Sequence, residues 1–266
     1  MTLPPDYLIR INPLTAEELR TQLREEHRHT SGFADKLRHE FDYIWRKIDE
    51  HPFLVELDQR KLPLDKYKVY AVQNAYYIVD HVRAVGKAIS KAEPIHYAFI
   101  FGRLIQLVPG YGTPAFAFPK IAKAVGVTDE DFDHIMRDPS RVMPGTLAYV
   151  NFMYKMYELG TPGVAAASYL ACPWTYTERE LGGLDCAKRV AEGLDRYGVS
   201  KELIQAYTDE EGFSEWHMRL LRITKDIINA EADNPETREK MRDAFRRNSE
   251  FELGFWEQAY RYEGKF

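Results

Sequence analysis

The sequence predicts an all-α fold, a single-domain helical bundle, and three observations carry that prediction. No segment keeps the period-two alternation of a half-buried strand. Apolar residues instead recur at threes and fours along most of the chain. Prolines and glycines fall between these runs, where helices start and stop. With 266 residues, 45% of them hydrophobic, the chain can fill one sizeable core. Its two cysteines are too few for a disulfide scaffold or a cysteine zinc site.

In chain order, Pro4, Pro5 and Pro13 block helix and make the start an irregular arm. Thr15, with Glu18 three residues on, forms a capping box for a charged helix. Residues 1–30 therefore read as arm and charged helix, ahead of a helical domain over 31–266. From Ser31, one stripe runs through Phe33, Leu37, Phe41, Ile44, Trp45 and Ile48, and His51-Pro52 ends it. A long helix from Pro63 or Leu64 carries Tyr67, Tyr70, Asn74, Tyr77, Ile78 and His81 on one side. An apolar helix over 96–108 is broken by Pro109-Gly110-Tyr111-Gly112. Helices over 114–125 and from Thr128 or Asp129 follow, and a turn lies between Pro139 and Pro144-Gly145. Residues 146–158 are helical and stop at Gly160. Pro162 opens the way into the stretch 168–182, which Gly182-Gly183 closes. Helices over 184–197, 200–206, 213–231 and from Asn234 or Thr237 to Tyr262 complete the series.

Several function classes are excluded. A net charge of −5 gives no electrostatic case for nucleic acid or an anionic membrane. No apolar run is long enough to cross a bilayer, and the start lacks a basic region followed by an apolar one, so a cytoplasmic protein is expected. Pro-Gly-Tyr-Gly at 109–112 has neither a preceding strand nor a following Lys-Ser/Thr, so it is no phosphate loop. Gly-x-Ser-x-Gly is absent. Glu93 and His96 match the Glu-x-x-His spacing of helical di-iron sites once, with no second copy. His217 is followed by Leu220, Leu221 and Thr224, which do not bind iron. No metal site is expected from these residues.

Three residues stand out. Cys172 precedes Pro173, and a proline at the first helical position would put the thiol at the N-cap, where N–H groups and the dipole lower its pKa. A lone cysteine also reads as a small buried hydrophobe. Tyr176 lies one turn on. Glu252 precedes Phe255 and Trp256 by three and four residues, so a carboxylate shares a face with two aromatics, which costs free energy unless it is paired, protonated or used. A surface acid with the aromatics turned aside fits the same pattern. Asn74 lies on a mostly apolar face, where an amide can simply satisfy a neighbouring backbone group.

Four stretches together resemble the TenA family, the thiaminase II enzymes of thiamin salvage, within the haem-oxygenase-like helical fold. The first is His51-Pro52-Phe53, Lys61-Leu62-Pro63 and then Gln73-Asn74-Ala75-Tyr76-Tyr77. The second is Tyr149 with Cys172-Pro173-Trp174-Thr175-Tyr176-Thr177-Glu178. The third is Tyr207 in Ala-Tyr-Thr-Asp-Glu-Glu-Gly-Phe, and the fourth is the run from Glu252 to Arg261. The resemblance implies Cys172 as nucleophile and Glu252 as proton donor and acceptor. It implies Tyr77, Tyr149, Tyr176, Tyr207 and Phe255 as walls of a slot for a flat pyrimidine. Thiamin or aminomethylpyrimidine would be the substrate, with no cofactor, in a dimer or tetramer. Two departures matter: Asn74 stands where the family usually has Asp, and the family's Pro-Cys order is Ala171-Cys172-Pro173 here. Two alternatives remain open: a PqqC-like or di-iron oxidase of the same fold, and a non-catalytic binder or regulator that has kept the pocket.

Overall fold

The computed structural model describes residues 14–107, 117–210 and 214–263. The arm over 1–13 and the break at 109–112 lie outside them. Among the described residues there are helices and no strand. The α-helices are α1 (Ala16–His29), α2 (Phe33–Glu40), α3 (Asp42–Asp49), α4 (Pro52–Asp58), α5 (Leu64–Lys91), α6 (His96–Leu107), α7 (Ala117–Ala124) and α8 (Asp129–Arg137). They continue as α9 (Pro144–Leu159), α10 (Pro162–Ala167), α11 (Ala171–Tyr176), α12 (Cys186–Glu192), α13 (Lys201–Thr208), α14 (Glu215–Glu231) and α15 (Pro235–Tyr260). None of these helices is long and apolar enough to cross a membrane.

Caps explain most boundaries. Thr15 and Glu18 close the expected capping box on α1, and Thr128 closes another with Asp131 on α8. Ser200, Ser214 and Asn234 cap α13, α14 and α15 through their side chains.

Two local readings need correction. The stripe from Ser31 is two helices, because Phe41 leaves helical geometry at φ −98° and ψ 18°. The bend keeps Leu37, Phe41, Ile44, Trp45 and Ile48 all buried, which one straight helix need not do. His51-Pro52 does end α3, but it also starts α4. Pro52 takes the first helical position, and the His51 ring accepts the Phe53 N–H at 3.2 Å.

The core is built on α5, α9 and α15, which pack against one another, while α11 lies against α15, α14 and α12. The N-terminal end of α9 has no side-chain cap of its own. Two amides hold it instead. Gln73 on α5 accepts the Met143 N–H and donates to the Arg141 carbonyl, each at 3.0 Å. Gln258 on α15 accepts the Thr146 N–H at 3.0 Å and donates to the Thr146 hydroxyl at 2.7 Å. Gly145 leaves room for this contact, since a Cβ there would sit 2.5 Å from Gln258 Oε1. Leu19 and Leu23 of α1 are fully buried in the same core.

Candidate active site

The stretch around Cys172 folds differently from the expected Pro173 start. Helix α11 begins at Ala171, so Pro173 is its third residue. The Cys172 N–H is taken by the Tyr169 carbonyl at 3.0 Å. The thiol is therefore inside the first turn rather than at the N-cap, and a six-residue helix has little dipole to lend it. Side chains from elsewhere fix this short helix. Asn248 of α15 accepts the Ala171 N–H at 2.7 Å, Thr175 donates to the Cys172 carbonyl at 2.9 Å, and His217 Nε2 donates to the Pro173 carbonyl at 2.8 Å.

Cys172 is half-buried, and neither cysteine is in a disulfide. Its thiol lies near enough to Glu252 to favour the ionised carboxylate. Glu252 is buried, and burial pushes its carboxyl up to about 7 against the pull of the Tyr149 hydrogen bond and the Cys172 thiol. The Tyr149 hydroxyl donates to Glu252 Oε1 at 2.6 Å, and the Asn248 amide donates to that same hydroxyl. A carboxyl group that titrates near neutrality, beside a thiol, can take the thiol's proton or give one to a bound ring.

A small cavity of about 40 Å³ opens beside the thiol. Asn74, Tyr77 and His81 of α5 line it, with Cys172 and Tyr176 of α11 and His217 of α14. None of its ten lining residues is Asp, Glu, Lys or Arg. Burial holds His81 down to about 3 and His217 down to about 4, so both rings are neutral. Burial raises the phenols of Tyr77, Tyr149 and Tyr176 well above 10, which keeps them protonated.

The aromatic residues expected at the slot lie at different depths from this cavity. Tyr77 and Tyr176 face the cavity with Asn74 and Cys172. Tyr149, Phe255 and Glu252 stand one layer back. The Tyr77 ring lies 4.8 Å from Tyr149 and 6.0 Å from Phe255. Tyr176 is braced by the Tyr70 hydroxyl at 2.5 Å. Tyr207 is outside the cavity wall, buried against Phe118 at 6.1 Å and close enough to Tyr176 to raise its phenol further.

Sequence reading missed four residues here. His81 is stacked on Tyr169 at 3.8 Å and bonded to the Tyr157 hydroxyl at 3.1 Å. It sits four residues after Tyr77, a spacing that places both on one helix face. Tyr169 lies in the stretch before Cys172, and His217 was weighed only as an iron ligand. Asn248 is buried one turn before Glu252, and the same i,i+4 spacing marks it. Among the described residues, no group of three or more His, Cys, Asp and Glu could hold a metal ion.

The model of the TENA/THI-4/PQQC family matches residues 38–262. The chain belongs to this family. An aminopyrimidine aminohydrolase of Bacillus subtilis is 24% identical over 235 residues, covering 87% of this chain and 91% of that protein. A second aminopyrimidine aminohydrolase, from Halalkalibacterium halodurans, is 23% identical and covers 86% of this chain and 96% of its own length. Among solved structures, a TenA homologue from P. horikoshii superposes with a TM-score of 0.66 at 29% identity, over 86% of this chain and 99% of that one. A protein described as a TenA family transcription regulator, from Silicibacter, gives 0.64 at 18% identity, over 86% of this chain and 97% of its own. The all-helical, haem-oxygenase-like architecture of TenA proteins is therefore the fold of this chain. The family match begins at residue 38, within α2, so α1 lies outside the matched region.

Proposed function

We propose that this protein is a TenA-like aminopyrimidine hydrolase with Cys172 as nucleophile and Glu252 as acid and base. One observation carries the reading: the Cys172 thiol lines an aromatic cavity beside a buried carboxyl group, Glu252, that Tyr149 holds by a hydrogen bond. The aminopyrimidine aminohydrolases similar to this chain support the substrate class.

In this reading Cys172 passes its proton to Glu252, and the thiolate adds to an electrophilic carbon of the pyrimidine ring. Glu252 returns the proton to a ring nitrogen as negative charge develops there. The substituent on the ring's methylene group then leaves, a protonated amine as ammonia or the thiazolium of thiamin as the thiazole. Water adds at that carbon and gives a proton to Glu252, and loss of the ring-nitrogen proton expels the thiolate and restores the ring. The products are hydroxymethylpyrimidine and the ammonia or thiazole. Tyr77 and Tyr176 flank the ring, and Asn74 can donate to one ring nitrogen while accepting from the exocyclic amino group. A dimer or tetramer, which light scattering would read, belongs to the same proposal.

The test is to incubate the protein with aminomethylpyrimidine and with thiamin and look for hydroxymethylpyrimidine. Cys172→Ala is expected to abolish product and any mass shift trapped on the α11 peptide. Product formed at the wild-type rate by Cys172→Ala ends the nucleophile assignment. The uncharged wall at Asn74 favours a second reading, a binder without turnover. Tight pyrimidine binding with no product, and product restored by Asn74→Asp, would establish it.

A further inference from the structure

The mechanism above uses Glu252 and leaves open what sets its proton affinity. The hydrogen-bond chain behind it runs in one direction when Glu252 is ionised. A backbone N–H can only donate, so the Ala171 N–H fixes Asn248 with its carbonyl oxygen toward α11, at 2.7 Å. That leaves the Asn248 NH₂ facing the Tyr149 hydroxyl, which must accept from it. A phenol has one proton. An ionised carboxylate can only accept, so against charged Glu252 the Tyr149 proton goes to Oε1, at 2.6 Å.

We propose that Asn248 is a positioning residue that commits the single proton of Tyr149 to Glu252, and so ties the charge state of the acid–base group to the backbone of the nucleophile's own helix. The inference rests on the Cys172–Glu252 reading, and it extends it. Asn248 touches neither thiol nor carboxylate. It is fully buried, four residues before Glu252 on α15, and bridges α15 to both α11 and α9. The helix that presents the nucleophile and the group that receives its proton are thereby registered through one amide. Without Asn248, the Tyr149 proton is no longer directed, Glu252 loses a donor, and the ionised form becomes harder to reach. The titratable groups that face Glu252 are Cys172 from α11, Tyr149 from α9, Tyr77 from α5 and, at longer range, Cys186 from α12.

The test needs no substrate. The rate of Cys172 alkylation by iodoacetamide, located by peptide mass spectrometry, is followed against pH. Cys186 is fully buried and burial raises its thiol pKa, so it does not compete. The profile carries a step near 7 where Glu252 titrates beside the thiol, and Asn248→Ala and Tyr149→Phe are each expected to move the midpoint of that step up by about one pH unit. In the Tyr149→Phe background, Asn248→Ala adds no further shift, because the two act through one bond. Circular dichroism checks each fold, and Asn248→Ser serves if Asn248→Ala does not fold. A folded Asn248 variant with the wild-type midpoint overturns the proposal, and so does a shift that persists undiminished without the Tyr149 hydroxyl. Absence of hydroxymethylpyrimidine with the alkylation shifts intact would instead remove the hydrolase reading and leave the chain standing.

Discussion

Glu252 shows what a single residue can trade. Its carboxyl titrates at about 7 in the fold against an ordinary 4.5, so the folded state holds a proton that the unfolded chain releases. A raised acid works against stability: the penalty is absent below pH 4.5, grows as pH rises and levels off above 7. Its full size is about 3 kcal/mol, at about 1.4 kcal/mol per pH unit. Glu252→Gln is therefore expected to lose turnover and gain stability in urea at pH 8, with the gain vanishing near pH 4. The pH–rate profile should show a limb near 7 that Glu252→Gln removes. Sequence made Glu252 and Cys172 legible because an acid on an aromatic face and a lone cysteine before proline are both unusual. Asn248 escaped because a buried amide on a long helix shows its worth only through partners distant in sequence, here Ala171 and Tyr149.

Among elements, α9 deserves comparison with α1. The start of α9 is held by Gln73 and Gln258 from two other helices, and Gly145 makes room for one of them. Gly145→Ala should push Gln258 aside and orphan the Thr146 N–H, costing about 1–3 kcal/mol in a thermal melt. Activity should fall with it, since α9 carries Tyr149. The cap on α1 is local by contrast. Thr15→Ala should cost about 1 kcal/mol and leave activity unchanged. Capping boxes were readable because donor and acceptor lie three residues apart. The bend at Phe41 and the helix α4 were not, because both depend on which face the folded core demands. Proline at 52 carried both meanings at once, as the end of one helix and the first residue of the next.

For the molecule as a whole, a deeply buried ionic contact among the described residues lies away from the cavity. Lys225 of α14 donates to Asp35 of α2 at 2.9 Å, with both side chains almost wholly buried, and its ammonium sits 5.0 Å from the Trp174 ring. Burial raises the Asp35 carboxyl, but His27 and Lys225 outweigh it and leave it below the usual carboxylate range. A depressed acid stabilises above its unfolded pKa, so this contribution is present above about pH 4 and is lost as pH falls through the folded value. Lys225→Met, which strands the buried carboxylate, is expected to cost about 3–5 kcal/mol at pH 7 in denaturant melts, while Lys225→Met with Asp35→Leu recovers most of it. All-helical class and most helix positions were legible from periodicity and punctuation. The arrangement that joins α5, α9, α11 and α15 around one carboxylate was not, because periodicity gives faces and not neighbours. That arrangement also has an order in time. Cys172 leaves the ribosome eighty residues before Glu252, roughly 4–16 s earlier at ordinary rates of synthesis. Until α15 slides into place, the nascent chain carries the Cys172 thiol without the Glu252 carboxyl beside it, so the pair comes into being only after α15 has been made.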